Sequence, residues 1–397
     1  MPDGHDDLNT LIGPDRRRLK LPGWQPSLVV GMALFVLIGL VVLVPKELPD
    51  VDLSALGFAD DAIPATVASA ADEPCSYAAE LLCHLVGFDL HDGNAPIVQE
   101  FSVGEGQPVF EVGDRVFVNV VRFEDETLSY QYADRDRRAL VAVVTVLFGL
   151  AVVVLARMRG VLALFGLAAS VAVLMLFIVP AIVAGRDAVF VALVGGGAIA
   201  LISLYVTHGP NPLTHVAAIG ALGALTITVA LSWVVLLLAR FSGFASDEAF
   251  YLIAVPGIDL SGLLLAGIVL GTIGALDDVT VTQASTVWEL RSANETLTSA
   301  DLFAAGLRVG RDHIASTVNT LLLAYAGAAL PLLILFSLSG MGMGFVVSSE
   351  VVAVEIVRTL VGSIGLVAAV PLTTFLAART AVAHPGYGQV TGAGNPD

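Results

Sequence analysis

The chain has 397 residues, of which 56% are hydrophobic and only 14% are charged, and its mean hydropathy is +0.85. Soluble domains carry about 25% charged residues, so this composition excludes an ordinary soluble protein. It indicates a membrane protein, whose partner is the lipid bilayer. The formal net charge of -17 also argues against a basic surface for nucleic acid.

The two ends of the chain are polar. Residues 1–26 are rich in Asp, Pro and Gly, and residues 381–397 include the stretch HPGYGQVTGAGNPD. Such segments bury too little apolar surface to fold by themselves. We expect a disordered cytoplasmic head and a disordered cytoplasmic tail.

Uncharged apolar runs recur along the chain, and each is long enough to cross a bilayer. Because they are continuous rather than alternating, they favour helices over an outer-membrane barrel. The predicted fold class is therefore an all-α polytopic membrane protein of about eight transmembrane helices, with a small β-rich extracytoplasmic domain inserted after the first helix. The predicted spans are residues 27–44, 140–156, 161–184, 189–205, 216–239, 260–276, 314–336 and 359–378.

The distribution of Lys and Arg predicts the orientation. The stretch RRRLK precedes the first span, and Arg157 and Arg159 form the turn between the second and third spans. Positive residues concentrate on the cytoplasmic side, so both termini are expected there, in the cytoplasmic (inner) membrane. Arg186, on an outer turn, departs from this rule. The first span is interpreted as a retained anchor, because no small-residue cleavage site follows VVLVPKELPD.

Residues 45–137, between the first two spans, form the predicted extracytoplasmic domain. They hold nineteen acidic residues against five Lys and Arg, and therefore most of the excess negative charge. The runs IVQEFSV, RVFVNVVRF and LSYQYA are rich in β-branched and aromatic residues and are separated by Gly-rich turns. This pattern predicts a small β-barrel or β-sandwich.

The only two cysteines, Cys75 and Cys83, lie in this domain. An oxidising compartment permits a disulfide between them; the alternative is two reduced, buried thiols. His84 and His91 lie nearby, but their spacing imposes no metal geometry. We expect no metal site and no cofactor.

Polar residues continue beyond the apolar run of the sixth span. If the helix extends past the two adjacent acids, four side chains spaced by four, three and four residues share one narrow face. Asp277 points about a quarter turn away, in line with Val281, Ala284 and Trp288. The four residues of this polar ladder are Asp278, Thr282, Ser285 and Glu289.

The seventh span begins in a similar way. Asp312, Ser316 and Asn319 share one of its faces, and His313 begins the neighbouring one. Carboxylate, hydroxyl and amide oxygens on two adjacent helices predict a hydrophilic cleft that opens to the cytoplasm, forming a substrate or ion pathway together with the polar ladder. Arg311 is a secondary candidate.

Depth in the bilayer leaves alternatives for the acids. An Asp at the centre of a span costs roughly 2.5–3.5 kcal/mol and usually marks a pathway. The run 260–276 rises about 25 Å, so Asp277 and Asp278 are expected near the inner edge of the hydrocarbon core, where they could end in the headgroups or pair with Arg308 and Arg311. Glu355, a secondary candidate, is interpreted first as an intrahelical partner of Arg358.

Glycines recur in two frames, GALGAL at 220–225 and GTIGAL at 271–276. Small residues at this spacing allow two helix backbones to approach closely, so both frames are predicted to be packing faces. No G-x-S-x-G, H-E-x-x-H or phosphate-loop sequence occurs, and an enzyme is not expected.

Two stretches of the second half resemble the YibE/F-like membrane proteins. GIVLGTIGALDDVTVTQASTVWEL and GLRVGRDHIASTVNTLLLAYAGAALPLLILF are similar to a signature in which G-x-x-G-A-x-x-D-V is followed by G-R-D and N-T-L-x-L-A-Y. VGDRVFV and ADRDRR extend the resemblance to residues 97–380. The matching positions are Gly271, Gly274, Ala275, Asp278, Val279, Gly310, Arg311, Asp312, Asn319, Thr320, Leu321, Leu323, Ala324 and Tyr325.

The resemblance implies a multi-pass architecture with an extracytoplasmic domain after the first helix, and it implies no particular activity. The acid at Asp277 and the segment that carries the cysteines depart from the family pattern. Two hypotheses follow from the residues. One is transport of a cation or a proton-coupled solute past Asp278, Asp312 and Asn319. The other is a non-transporting scaffold that binds an envelope protein through its outer domain. A homo-oligomer is compatible with either.

Overall fold

The computed structural model describes residues 24–47, 61–93, 95–104, 106–122, 128–244, 246–253 and 255–383. The head and tail predicted to be disordered lie outside these ranges, except for residues 24–26 and 381–383, which belong to the terminal helices. The chain divides into two compact units. One comprises Pro49–Val161 and Ile253–Val255, and the other comprises Met1–Leu48, Leu162–Leu252 and Pro256–Asp397.

The first unit contains a five-stranded antiparallel sheet. Its strands are β1 (Asp61–Cys75), β2 (Ala78–Leu90), β3 (Ile97–Ser102), β4 (Arg115–Arg122) and β5 (Leu128–Arg135). They are hydrogen-bonded in the order β3-β2-β1-β4-β5. The last three strands coincide with the three runs that the sequence predicted.

The two edge strands of this sheet are joined by one side chain. The Gln99 amide nitrogen on β3 donates to the Tyr130 carbonyl of β5, and its amide oxygen accepts from the Tyr132 N–H at 2.9 Å. Aromatic rings, including Phe88 and Phe110, fill the interior. When β3 and β5 are joined, the order β3-β2-β1-β4-β5 becomes the cyclic order 1-2-3-5-4, which is that of a partly open, five-stranded Greek-key barrel of the OB type.

Strands β1 and β2 were not predicted. Their sequences, DAIPATVASAADEPC and AAELLCHLVGFDL, are rich in Ala, Asp and Glu, which strands disfavour. These segments form strands because of their tertiary contacts. Strand β1 pairs with β2 on one side and with β4 on the other, and Val67 and Val86 are buried in the core. Burial on one face thus overrides the weak local preference.

Helices make up the rest of the described chain. The first is α1 (Trp24–Leu43), and α2 (Arg138–Val173) continues through one π turn into α3 (Val179–Val183). The others are α4 (Ala188–His208), α5 (Pro212–Ala239), α6 (Asp247–Leu252), α7 (Leu260–Ala293), α8 (Ser299–Ala328), α9 (Leu330–Leu338), α10 (Met343–Ser348) and α11 (Glu350–Ala383).

Six of the described helices are long and apolar enough to cross a membrane, or seven if α8 and α9, bent by 63°, form one span. The sequence predicted eight, and the difference lies in the candidate Arg138–Val183. Within it, Arg157 has φ 51° and ψ -129°, which no α-helix has. A Cβ on Gly160 would lie 2.6 Å from the Val152 carbonyl oxygen, although eight residues of straight helix rise about 12 Å. The chain therefore bends sharply at Arg157, where the sequence predicted a turn between two spans.

The core of the second unit lies around α7, which packs against α4, α5, α8 and α11. Helices α5 and α11 approach each other closely at two glycines. A Cβ on Gly220 would collide with Thr373, and one on Gly365 would collide with Thr228. Close backbone approach of this kind holds membrane helices together, because the hydrophobic effect does not act between apolar surfaces in lipid.

Candidate functional site

Helix α7 carries half of the candidate pathway residues, counting the secondary candidates. It is a single helix of 34 residues, about 51 Å long, and so continues past its apolar run as the sequence suggested. The Asp259 side chain caps its first turn by accepting from the Ser261 N–H at 3.1 Å. The adjacent acids lie at its midpoint, and successive residues of a helix point about 100° apart. Asp277 and Asp278 therefore meet different surroundings.

Asp277 points into the helix bundle. Its Oδ2 accepts a hydrogen bond of 2.6 Å from the Ser203 hydroxyl of α4, and the side chain is half-buried. Its Oδ1 is buried and has no hydrogen-bond partner among the described residues. Buried polar atoms are nearly always paired, because an unpaired one costs on the order of 1–3 kcal/mol. An unpaired carboxylate oxygen inside a span is a feature that function explains better than stability does.

Asp278 lies on the outside of the same turn. Its side chain is 69% exposed, and its Oδ2 lies 3.9 Å from Nε2 of His313 on α8. The partner is therefore neither Arg308 nor Arg311, the two basic residues that the sequence suggested. At this exposure such a pair contributes little stability. Of the two acids, Asp277 is the one that the helix bundle encloses, although the sequence pattern favoured Asp278.

The rest of the polar ladder borders an open groove. Thr282 and Ser285 are half-buried, and Glu289 is exposed. The groove has a volume of about 640 Å³. It is lined by the α7 residues Val281, Thr282, Ser285, Thr286, Glu289, Leu290 and Ala293. The predicted ladder thus contributes the polar side chains of a groove whose wall is mostly apolar, and Asp278 lies one turn before it, towards the N-terminus of the helix.

The candidates of the seventh predicted span lie elsewhere. Asp312, Ser316 and Asn319 are exposed on α8, as is Arg311, and within the described part of the chain they do not line the groove. Helix α8 instead turns its small residues towards its neighbours: a Cβ on Gly310 would lie 2.5 Å from the Val370 side chain of α11. Among the described residues the two predicted sets therefore do not meet, and the approach between the two helices is that of His313, next to Asp312, to Asp278.

Gln283 is a buried polar residue that sequence reasoning missed. It is 2% exposed, and its amide nitrogen donates to the Gly306 carbonyl at 2.7 Å and to the Thr374 hydroxyl at 2.8 Å. It joins α7, α8 and α11 next to the turn that holds Asp277. The glycines four residues apart at Gly306 and Gly310 were the available signal, because a Cβ on Gly310 would lie 2.8 Å from the Gln283 oxygen.

The two glycine frames predicted to be packing faces behave differently. In the first, a Cβ on Gly223 would lie 2.8 Å from Leu372, so this frame packs along its length. In the second, a Cβ on Gly271 would collide with the Tyr325 hydroxyl, whereas one on Gly274 would meet nothing within 4 Å. Gly271 and Tyr325, which are distant in the sequence, thus meet across the α7–α8 interface.

Glu355 is paired on its own helix, as its first interpretation held. Arg358 Nη1 donates to Glu355 Oε1 at 2.9 Å, and both side chains are about one quarter exposed. The guanidinium carbon lies 5.9 Å from the centre of the Tyr325 ring, a cation–π distance. This half-buried pair of α11 faces the bend between α8 and α9.

A disulfide joins Cys75 and Cys83 in the β-barrel, with their Cα atoms 4.9 Å apart. Both residues are buried, and the Glu100 carboxylate lies close enough to form a ligand-like group of three. The paired sulfurs are not thiolates, and thiolates are what metals bind. Glu100 instead accepts from the Ser76 N–H at 2.6 Å, bracing the turn between β1 and β2.

Ion pairs fix the end of the barrel where β5 leads into α2. Arg138 Nη2 lies 2.8 Å from Asp136 Oδ2, and Arg115 Nε lies 3.9 Å from the same oxygen. The hydrogen bonds from Arg138 hold the pKa of the Asp136 carboxyl at about 2, well below its usual range. This carboxylate stays charged at physiological pH and anchors the start of α2.

Helices of this length and apolarity define a multi-pass membrane protein. The model of the YibE/F-like protein family matches residues 144–383, which is more than half of the chain. The chain belongs to the YibE/F-like family. The match begins after the β-barrel, so the part of the resemblance between residues 97 and 143 lies outside it. Comparison with curated proteins and with solved structures gives no match.

Proposed function

We propose that the protein carries a cation or a proton-coupled solute across the membrane, with Asp277 as the ionisable group that couples movement to charge. The observation that supports this most directly is the unpaired, buried Oδ1 of Asp277, next to an Oδ2 that Ser203 holds in place. Intramembrane carboxylates of this kind commonly belong to ion pathways and proton relays.

The groove beside the polar ladder provides the approach to this group. Asp278 is exposed one residue away, and Thr282, Ser285 and Glu289 offer oxygen atoms along the helix towards its C-terminal end. A cation or a proton arriving along these oxygens would reach Asp277 last. Neutralising a half-buried carboxylate lowers its cost of burial, so binding at Asp277 would favour a rearrangement of α7 against α4.

Reconstitution into liposomes tests the proposal. Wild-type protein is expected to dissipate an imposed proton or sodium gradient faster than protein-free liposomes do. Asp277→Asn, which keeps the shape of the side chain, removes the titratable group, and Ser203→Ala removes its hydrogen-bond donor. The first is expected to abolish flux and the second to reduce it. If gradients decay equally with wild type and Asp277→Asn, Asp277 is not the coupling group. If no cation tested moves faster than in protein-free liposomes, the proposal of transport is wrong.

For topology we propose eight spans in the cytoplasmic membrane, with both termini cytoplasmic and the β-barrel outside. The turn at Arg157 supports two spans between residues 138 and 183, and Arg157 and Arg159 then face the cytoplasm. Single added cysteines test this order in cells with an impermeant maleimide. Ser339→Cys is expected to react in intact cells, and Asn294→Cys only after permeabilisation. The reverse pattern would contradict the proposed orientation.

A second candidate function is that of an envelope scaffold that binds a protein partner through the β-barrel. The observation in its favour is a group of exposed apolar side chains near the disulfide: Tyr77 is 65% exposed, Leu81 55%, Leu82 51% and Val103 52%. A photo-crosslinking residue at Leu82, with one at exposed Gln107 as control, tests this. A discrete adduct at Leu82 alone, together with unchanged flux in Asp277→Asn, would favour the scaffold.

A further inference from the structure

A large cavity lies beside α11, away from the Asp277 site. Its volume is about 1110 Å³, above the roughly 300–1,000 Å³ that is usual for small-molecule sites. Its walls come from α6 and the loop before it, from α7, from the bend between α8 and α9, and from the first turns of α11. A narrower cavity of about 190 Å³ shares Tyr325, Ala329, Leu332 and Glu355 with it.

Most of the cavity wall is apolar. Leu264, Pro331 and Leu335 line it, and α9 exposes large side chains at its edge, with Leu335 64% and Leu338 81% exposed. Helix α9 is bent by 63° from the direction of α8, and Pro331, in the first turn of α9, is consistent with this break. Apolar side chains this exposed on a spanning segment face lipid, so the cavity is accessible to acyl chains.

Three charged residues of the described chain line the cavity, and two of them, Glu355 and Arg358, lie on α11. Arg358 gives its Nη1 to Glu355, while its Nε is buried and has no hydrogen-bond partner among the described residues. Glu248, the third, lies on α6 and is exposed. A guanidinium has five N–H donors in a rigid fork that suits two oxygens of a phosphate, and Glu355 occupies only part of it.

We propose that this cavity binds a diacyl phospholipid, with the phosphodiester on the free donors of Arg358 and an acyl chain along the wall formed by α9. The ion pair with Glu355 leaves the guanidinium oriented, and Tyr325 beside it holds the fork in place. A phosphodiester accepts from Nη2, which makes no hydrogen bond to the described residues, and the chain covers the apolar wall. The exposed carboxylate of Glu248 would tolerate an ammonium-bearing headgroup. This site is independent of the transport proposal.

Native mass spectrometry of the full chain in detergent tests the site. The probes are dioleoyl phosphatidylglycerol, dioleoyl phosphatidylethanolamine, dioleoylglycerol and glycerol 3-phosphate. Both phospholipids are expected to bind. Dioleoylglycerol lacks the phosphate and glycerol 3-phosphate lacks the chains, so each is expected to bind at least roughly tenfold more weakly. Equal binding of dioleoylglycerol, or of glycerol 3-phosphate, would overturn the proposal.

Two variants separate the headgroup from the chain. The double variant E355Q/R358Q removes both charges without leaving one unpaired, and Ala328→Trp fills the cavity while keeping the ion pair. Each is expected to lower phospholipid binding about tenfold, and Arg308→Gln, an exposed arginine of α8, is the control with unchanged binding. If the double variant loses its thermal unfolding transition, it is not folded, and phospholipid binding by Ala328→Trp is then the test of the site. Wild-type phospholipid binding in the decisive variant would show that the lipid binds elsewhere.

Discussion

The two faces of α7 carry similar polar residues, but they differ in how those residues are held. The face turned into the bundle carries Asp277, held by Ser203, and Gln283, held by Gly306 and Thr374. The outward face carries Asp278 and Glu289, both exposed. Each face holds a carboxylate and further polar side chains, but the inner one fixes them by hydrogen bonds to other helices, whereas Asp278 on the outer one has only a 3.9 Å approach to His313. A rotation of one residue, about 100°, separates an enclosed acid from an exposed one.

Periodicity favoured Asp278 as the functional candidate, whereas the contacts of the helix bundle direct attention to Asp277. Asp278 heads a regular polar ladder, and regular polarity on a helix marks contact with water. Asp277 interrupts an apolar stripe, and an acid in such a stripe must find a partner inside the protein or serve a function there. The irregular position is therefore the more informative one.

The largest expected effect separates the two acids directly. Asp277→Asn should lower flux on the order of 100-fold, the range typical of removing a positioned proton-transfer group. Asp278→Asn, the matched comparison on the exposed approach to the same group, should lower flux far less, because an exposed charge acts on an approaching ion only through solvent-screened attraction. Initial rates in liposomes at equal protein content measure both. Equal losses in the two variants would remove the functional distinction between the faces.

The next effect concerns the buried amide of the inner face. Gln283→Leu leaves the Gly306 carbonyl and the Thr374 hydroxyl without their donor, so the free energy of unfolding should fall by about 1–3 kcal/mol. Unfolding by sodium dodecyl sulfate in mixed micelles measures it. Thr282→Val, one residue away on the outer face, should change it by less than about 0.5 kcal/mol. A smaller loss for Gln283→Leu than for Thr282→Val would contradict the assignment of the inner face.

Two glycines of the same frame sharpen the comparison along the helix. Gly271→Ala places a methyl group against the Tyr325 hydroxyl, the end of a side chain that must shift to make room, so the cost should lie near the lower end of overpacking, about 1 kcal/mol. Gly274→Ala meets open space and should be neutral or stabilising by up to about 1 kcal/mol, because alanine favours helices. Melting temperatures in detergent should therefore shift in opposite directions or only for Gly271. A larger drop for Gly274→Ala would contradict the close approach.

The smallest effect belongs to the end of the ladder. Glu289 is exposed, so Glu289→Gln should change the free energy of unfolding by less than about 0.5 kcal/mol. Its effect on flux should appear mainly as a weaker dependence on cation concentration at low salt, since exposed charges attract ions only over a Debye length of about 10 Å at 0.1 M. Flux assays at two ionic strengths check this. A loss of flux comparable to that of Asp277→Asn would show that the outer face is the principal site.

Particular elements show how far sequence reasoning reached. The continuation of α7, the turn at Arg157 and strands β3 to β5 follow from uninterrupted apolar runs, a positive cluster and β-branched alternation, all of which act within a few residues. Strands β1 and β2 were not predicted because their formation depends on pairing with strands, such as β4, that are distant in the sequence. The sequence placed Asp312, Ser316 and Asn319 in a cleft, but they lie on an exposed face of α8. The face of α8 that turns inward depends on how Gly306 and Gly310 fit against Gln283 and α11, which are distant in the sequence.

The sequence by itself determined that this chain is a multi-pass membrane protein of the YibE/F-like family, because hydropathy and a local motif need no tertiary partner to be recognised. Only the tertiary structure decided which of two adjacent acids is enclosed, and that Gln283 ties three helices together. The physical reason is that hydropathy is a sum along one segment, whereas burial and hydrogen bonding depend on the rotation of each helix against its neighbours. That rotation is set by close contacts between small side chains far apart in the chain.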